Sequence, residues 1–71
     1  QGVEIACLMK MKSETFARVS MRSKGVDVAA IASKFGGGGH TCAAGCSIEK
    51  CFDEAKKEIA AEITKSLEAR A

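Results

Sequence analysis

Apolar and polar residues alternate with period two at the start of the chain. Val3, Ile5, Cys7, Met9 and Met11 fall on one side, and Glu4, Ala6, Leu8 and Lys10 on the other. This pattern predicts a strand with one clearly apolar face and one mixed face, and it places Cys7 in the strand core. Lys12-Ser13-Glu14-Thr15 is short and polar, as a hairpin turn is. A second alternation follows, with Ala17, Val19 and Met21 set against Phe16, Arg18, Ser20 and Arg22. Two alternating runs joined by a short polar link predict an antiparallel hairpin.

The pattern changes period after Ser23-Lys24-Gly25. Asp27 suits a helix N-cap, because its carboxylate can accept from free N–H groups of the first turn. Val28, Ile31, Ala32 and Phe35 then recur at helical spacing. Gly36 suits the left-handed position that ends such a helix. A glycine loop follows, and Ala44 to Ile48 reads as a short strand. Phe52, Ala55, Ile59, Ile63 and Leu67 form the apolar stripe of a final helix. Asp53 and Glu54 lie in its first turn and Arg70 near its end, as the macrodipole favours. The order ββαβα predicts an α+β fold: a small sheet, made of a β-hairpin plus a third strand, with two helices packed on one face.

The chain has 71 residues, which reads as a single domain over residues 1–71. Its hydrophobic share is 46% with no Trp, no Tyr and only three Phe, so the core is aliphatic. The scarcity of aromatics excludes a broad base-stacking platform. A net charge of +2 excludes a polycation, so any nucleic-acid role rests on local basic residues. The four cysteines are Cys7, Cys42, Cys46 and Cys51, and no secretory leader or membrane-spanning run is visible. Free thiols, a cytoplasmic location and no membrane partner are the expectation. The chain opens at Gln1 almost directly into a strand, which reads as a piece of a longer protein.

Candidate chemistry centres on Phe35-Gly36-Gly37-Gly38-Gly39-His40-Thr41-Cys42-Ala43-Ala44-Gly45. Four consecutive glycines lose much backbone entropy on folding, so the run marks close backbone approach or positive φ. Exposed N–H groups beside His40, the single His of the chain, suit a phosphate or a ribose edge. The run is neither a Walker loop, lacking Gly-Lys-Ser/Thr, nor a Rossmann fingerprint, since it follows a helix. Arg18, Arg22 and Lys24 are the candidate basic partners, and Arg22 is favoured for its fork and its place near a strand end. Against these stand plain readings: a flexible turn, a capping His and solvated surface charges. His40, Cys42, Cys46 and Cys51 could also form a zinc or redox module, though no Cys-x-x-Cys knuckle is present. With two Asp, one His and seven Glu gathered largely on the last helix, no complete hydrolytic metal centre is expected.

The block Gly37-Gly38-Gly39-His40-Thr41-Cys42-Ala43-Ala44-Gly45 resembles the signature of the DHH-associated domain, the C-terminal domain of DHH-family phosphoesterases. Arg18-Val19-Ser20-Met21-Arg22-Ser23-Lys24, Val26-Asp27-Val28 and Ile31-Ala32-Ser33-Lys34-Phe35-Gly36 are similar to the strand and first helix of that family. The likeness is greatest to its bacterial nanoRNase/pAp phosphatase branch of oligoribonucleases. A single-strand DNA exonuclease, a cyclic dinucleotide phosphodiesterase and the related domain of alanyl-tRNA synthetase are alternatives within the resemblance. The resemblance implies that a separate N-terminal DHH domain of the same chain holds manganese and hydrolyses the phosphodiester. This domain would grip a short single-stranded RNA or a nucleotide phosphate. Gly37, Gly38, Gly39 and His40 would line the substrate site, with Arg22 and Ser23 opposite, and no catalytic residue or metal ligand would come from this piece. Cys51 departs from the pattern, standing where a helix-capping Ser is more usual.

Overall fold

The computed structural model describes residues 4–70. Its elements are β1 (Glu4–Ser13), β2 (Phe16–Lys24), α1 (Val28–Ser33), β3 (Gly38–His40), β4 (Ala43–Ile48) and α2 (Phe52–Arg70). The four strands form one antiparallel sheet in the order β1-β2-β4-β3. The α+β class and the helices on one face agree with the expectation, but the order is ββαββα. The last part of the glycine run is a short strand and not a loop. Glycine has no side chain with which to announce an alternation, so only pairing with β4 defines β3.

The period-two pattern of β2 translates directly into its two faces. Ala17, Val19 and Met21 are almost wholly buried, while Arg18, Ser20 and Arg22 are exposed. In β1 the same face carries Ile5, Met9 and Met11, which are only half-buried, and Cys7 is exposed rather than part of the core. The reason is position. β1 lies at the sheet edge, and the helices sit over β2 and β4. The hairpin turn is tied by the Thr15 N–H donating to Ser13 Oγ at 3.3 Å, next to a register shift between Met11 and Ser13.

Helix α1 is capped at both ends by local chemistry. Asp27 Oδ1 accepts from the Ala30 N–H at 3.1 Å. At the other end, the Gly36 N–H donates to Ser33 O at 3.1 Å and the Gly37 N–H to Ala32 O at 2.9 Å, with Gly36 at φ +81°. This is the nested pair of bonds of a Schellman motif, which needs a left-handed residue where Gly36 stands. Phe35 therefore lies past the helix, half-buried against the core.

In α2 the predicted stripe is buried only in its middle. Ala55 and Ile59 are core residues, whereas Phe52 is 45% and Leu67 is 42% exposed. Cys51 supplies only its carbonyl, which accepts from the Ala55 N–H at 2.9 Å. None of the described helices is long and apolar enough to cross a membrane.

An ion pair joins the two helices: Lys34 Nζ lies 2.9 Å from Glu62 Oε1, with Lys65 Nζ 3.5 Å from Glu62 Oε2. Lys34, as hydrogen-bond donor and then as nearby charge, holds the Glu62 carboxyl below its ordinary value despite desolvation. A carboxylate depressed on folding stabilises above its unfolded pKa, and that contribution is lost as pH falls through the folded one. Glu62→Gln is accordingly expected to lower the melting temperature slightly at neutral pH and to flatten its decline on acidification. Thermal melts of both proteins across the acid range check this.

Candidate functional site

The site follows from the sheet register. Arg22 pairs with Ala6 on β1 and with Ala43 on β4, and Ala43 pairs with His40 on β3. Residues directly opposite on paired strands share a face. Met21 is buried under the helices, so Arg22 and its whole row face the other way, onto the open side of the sheet. Arg22 and His40 are both exposed there, two strand spacings apart, or ~10 Å between backbones. The adjacent row is Leu8, Ser20, Gly45 and Gly38. Between Arg22 and His40 the surface is therefore floored by Ala43, Gly45 and Gly38, with Ser20 beside them.

This floor was only partly legible in the sequence. The sequence pattern starts its third strand at Ala44, which leaves Ala43 outside it, whereas β4 begins at Ala43. Ala43 and Gly45 alternate with Ala44 and Cys46, and that small-residue alternation is the signal that could have exposed the floor.

The turn between β3 and β4 is held against the start of α1. The Ser23 N–H donates to Cys42 O at 2.9 Å and the Val28 N–H donates to Thr41 O at 3.0 Å. Ser23 Oγ donates to Val26 O and also lies 3.3 Å from Thr41 O. The first N–H of a helix has no partner within it, so the Thr41 carbonyl satisfies a group that would otherwise be left over. Ser23 thus fastens the end of β2 to the turn that carries His40 through its backbone N–H, while its hydroxyl proton is engaged by Val26 O in the loop that follows. It stands next to Arg22 in sequence but on the other side of the strand.

The glycines divide by role. A Cβ on Gly37 would lie 2.2 Å from Gly45 O and 2.7 Å from Cys46 Cβ. One on Gly39, at φ +147°, would lie 2.6 Å from Ala43 O and 2.7 Å from the Ala44 Cα. Gly36 closes the helix. Gly38 is different: its φ is ordinary, and a Cβ there would meet nothing within 4 Å. The fold itself makes no demand for glycine at this position, which lies on the open face next to His40.

Of the other basic candidates, Arg18 sits four residues before Arg22, ~13 Å along the strand, in a row with Lys10 and Ser47. Lys24 pairs with Glu4. Neither adjoins the glycines. Hollows beside Arg22 open toward β1, one of about 190 Å³ being bounded by Ala6, Leu8 and Ser20. Cys42, Cys46 and Cys51 do not gather with His40 into one group. Cys42 and Cys51 are exposed, and Cys46 is buried in the core, where desolvation and then the neighbouring Cys7 push its pKa up. Among the described residues no group of three or more His, Cys, Asp or Glu is placed to hold a metal ion.

A family model for the DHHA1 domain matches residues 1–69. The chain belongs to the DHHA1 domain family. That family accompanies the catalytic domain of DHH-family phosphoesterases. In this DHHA1 domain residues 36–42 supply the Schellman closure, strand β3 and the turn fastened by Ser23.

Three substitutions separate fold from site. Gly37→Ala forces its new methyl into backbone and is expected to cost about 2 kcal/mol or more. Ser23→Ala removes the hydroxyl that donates to Val26 O but keeps the backbone bond to Cys42 O, and is expected to cost about 1 kcal/mol. Gly38→Ala is expected to stay within about 0.5 kcal/mol of the parent. Urea unfolding of the three variants measures each.

Proposed function

We propose that this DHHA1 domain is the substrate grip of a phosphoesterase acting on short oligoribonucleotides, or on the 3′-phosphate of pAp, as in the nanoRNase branch that its sequence resembles. The observation that carries the reading is Gly38. It is a glycine with no structural reason to be one, on an open floor between a guanidinium and an imidazole. A backbone without a side chain admits a ligand to contact distance, and its N–H groups can donate to phosphate oxygens. Arg22 supplies a planar fork for a phosphate, and His40 donates from the opposite side. Gly37 and Gly39 shape the strand that presents Gly38, and Ser23 holds that strand in place.

The reading divides labour between two domains. The residues of this domain do not fit a manganese site, since no cluster of carboxylates and imidazoles is present among those described. Manganese and hydrolysis would belong to a separate N-terminal DHH domain, with which this domain would close around the substrate. Contacts to phosphate and ribose rather than to base edges make the preference for sequence slight. The host protein would act in the cytoplasm, where short RNA fragments arise.

An NMR titration tests this, using pAp, a short oligoribonucleotide, its DNA counterpart and a cyclic dinucleotide. Shifts are expected at Gly38, His40 and Arg22, strongest for the two RNA-type ligands. His40→Ala or Arg22→Ala is expected to weaken binding about tenfold or more, the scale of a charge-assisted hydrogen bond. Tighter binding of the DNA strand or of the cyclic dinucleotide would reassign the substrate to an exonuclease or to a cyclic dinucleotide phosphodiesterase. An absence of shifts at Gly38 and His40 with saturating ligand, or manganese-dependent turnover by this domain alone, would overturn the reading.

A further inference from the structure

Strand β1 is the longest strand, with 10 residues, and it borders the sheet with β2 as its only strand neighbour among the described residues. Edge strands of monomeric proteins are usually blunted by charge, proline or a bulge. The stretch Ile5-Ala6-Cys7-Leu8-Met9 has no charge and no proline, and the register shift comes only after Met11. Both faces of this edge are apolar and poorly covered. On the open face Leu8 is 69% exposed. On the helix face Cys7 and Met9 join Phe52, Ile59 and Ile63 of α2 around a groove of about 370 Å³.

The charges along the strand select an occupant. We propose that the outer edge of β1 is a dimerisation edge that pairs antiparallel with β1 of a second copy, centred on Cys7. Around that centre Ile5 of each copy lies opposite Met9 of the other, Ala6 opposite Leu8, and Glu4 opposite Lys10. Apolar residues meet in the middle, and an opposite-charge pair closes each end. Within its own sheet Lys10 lies opposite Arg18, an unfavourable like-charge neighbour, so a carboxylate arriving on its other side relieves that repulsion. A register centred on Leu8 also keeps like faces together, but it sets Glu4 opposite Lys12, inside the irregular part of the strand. Such a contact is isologous, and its two-fold axis stands perpendicular to the sheet. Two sheets of four strands would merge into one of eight, with both Arg22–His40 rows on the same side. The glycine floor and His40 lie toward the opposite edge, and the proposed pairing uses only the outer edge of β1, so this proposal stands independently of the function proposed above.

The register makes a specific prediction about Cys7. Directly opposite residues of an antiparallel pair have Cα atoms ~4.5–5.5 Å apart, inside the range that a disulfide spans. Diamide, which takes up the two protons and two electrons that the thiols give up, is therefore expected to link two copies through Cys7. The experiment uses the 71-residue protein with Cys42→Ser and Cys51→Ser, compared with a variant that keeps Cys51 and carries Cys7→Ser and Cys42→Ser. The Cys7 protein is expected to cross-link far faster than the Cys51 protein, which reports random collision. Sedimentation equilibrium of the unmodified protein is expected to show a monomer–dimer equilibrium. Lys10→Glu should weaken it about tenfold, and the double exchange Glu4→Lys with Lys10→Glu should restore it. A monomer at every concentration, a dimer indifferent to both charge variants, or faster linkage through Leu8→Cys in a Cys7→Ser background would each overturn the proposal.

Discussion

Everything distinctive about the open face depends on two carbonyls. Thr41 and Cys42, in the turn between β3 and β4, accept from Val28 and Ser23 and so bind the end of the glycine segment to the start of α1 and the end of β2. Strand β3 has only three residues and two of them are glycine, so its own ladder is a weak anchor. The turn contacts place it. Because one of the donors is the first N–H of α1, forming the helix and fixing the turn are coupled: each satisfies a backbone group that the other leaves free. His40 is carried on the segment so fixed, and Arg22 sits one residue before Ser23, which holds it.

The glycine segment makes economical use of that anchorage. Its first glycine ends a helix, its second and fourth let backbone pass within contact of β4, and its third is exposed without any such duty. A run that looks uniform in sequence therefore carries three kinds of constraint. All four glycines are exposed, but only Gly38 carries no constraint from within the chain.

Charge is segregated between the two sides of the sheet. The ion pairs Lys34–Glu62, Lys65–Glu62 and Lys50–Glu58 all involve α2. On the open face Lys10, Arg18 and Arg22 take part in no ion pair among the described residues. A modest net charge of +2 thus conceals a face whose cations are available. This suits contact with an anion far better than the overall balance suggests.

Local patterns were enough to define β1, β2, α1 and α2. Alternation in β2, the Asp27 cap and the Gly36 stop each act within a few residues, so their physics is written in neighbouring positions. The division between buried and exposed faces of β2 was equally legible. Other properties depend on partners distant in the chain. Cys7 has an apolar pattern around it but stands exposed, because sheet order puts β1 at the edge. The stripe of α2 is continuous in sequence but meets the sheet only at its middle. Strand β3 exists only because β4 pairs with it. The site divides in the same way. Glycine composition and the lone His point to the segment, and the fork of Arg22 and its place near a strand end single it out among the basic residues. That Arg22 and His40 share one row over Ala43 was decided by strand register, which pairs residues many positions apart and so cannot be read from either strand alone.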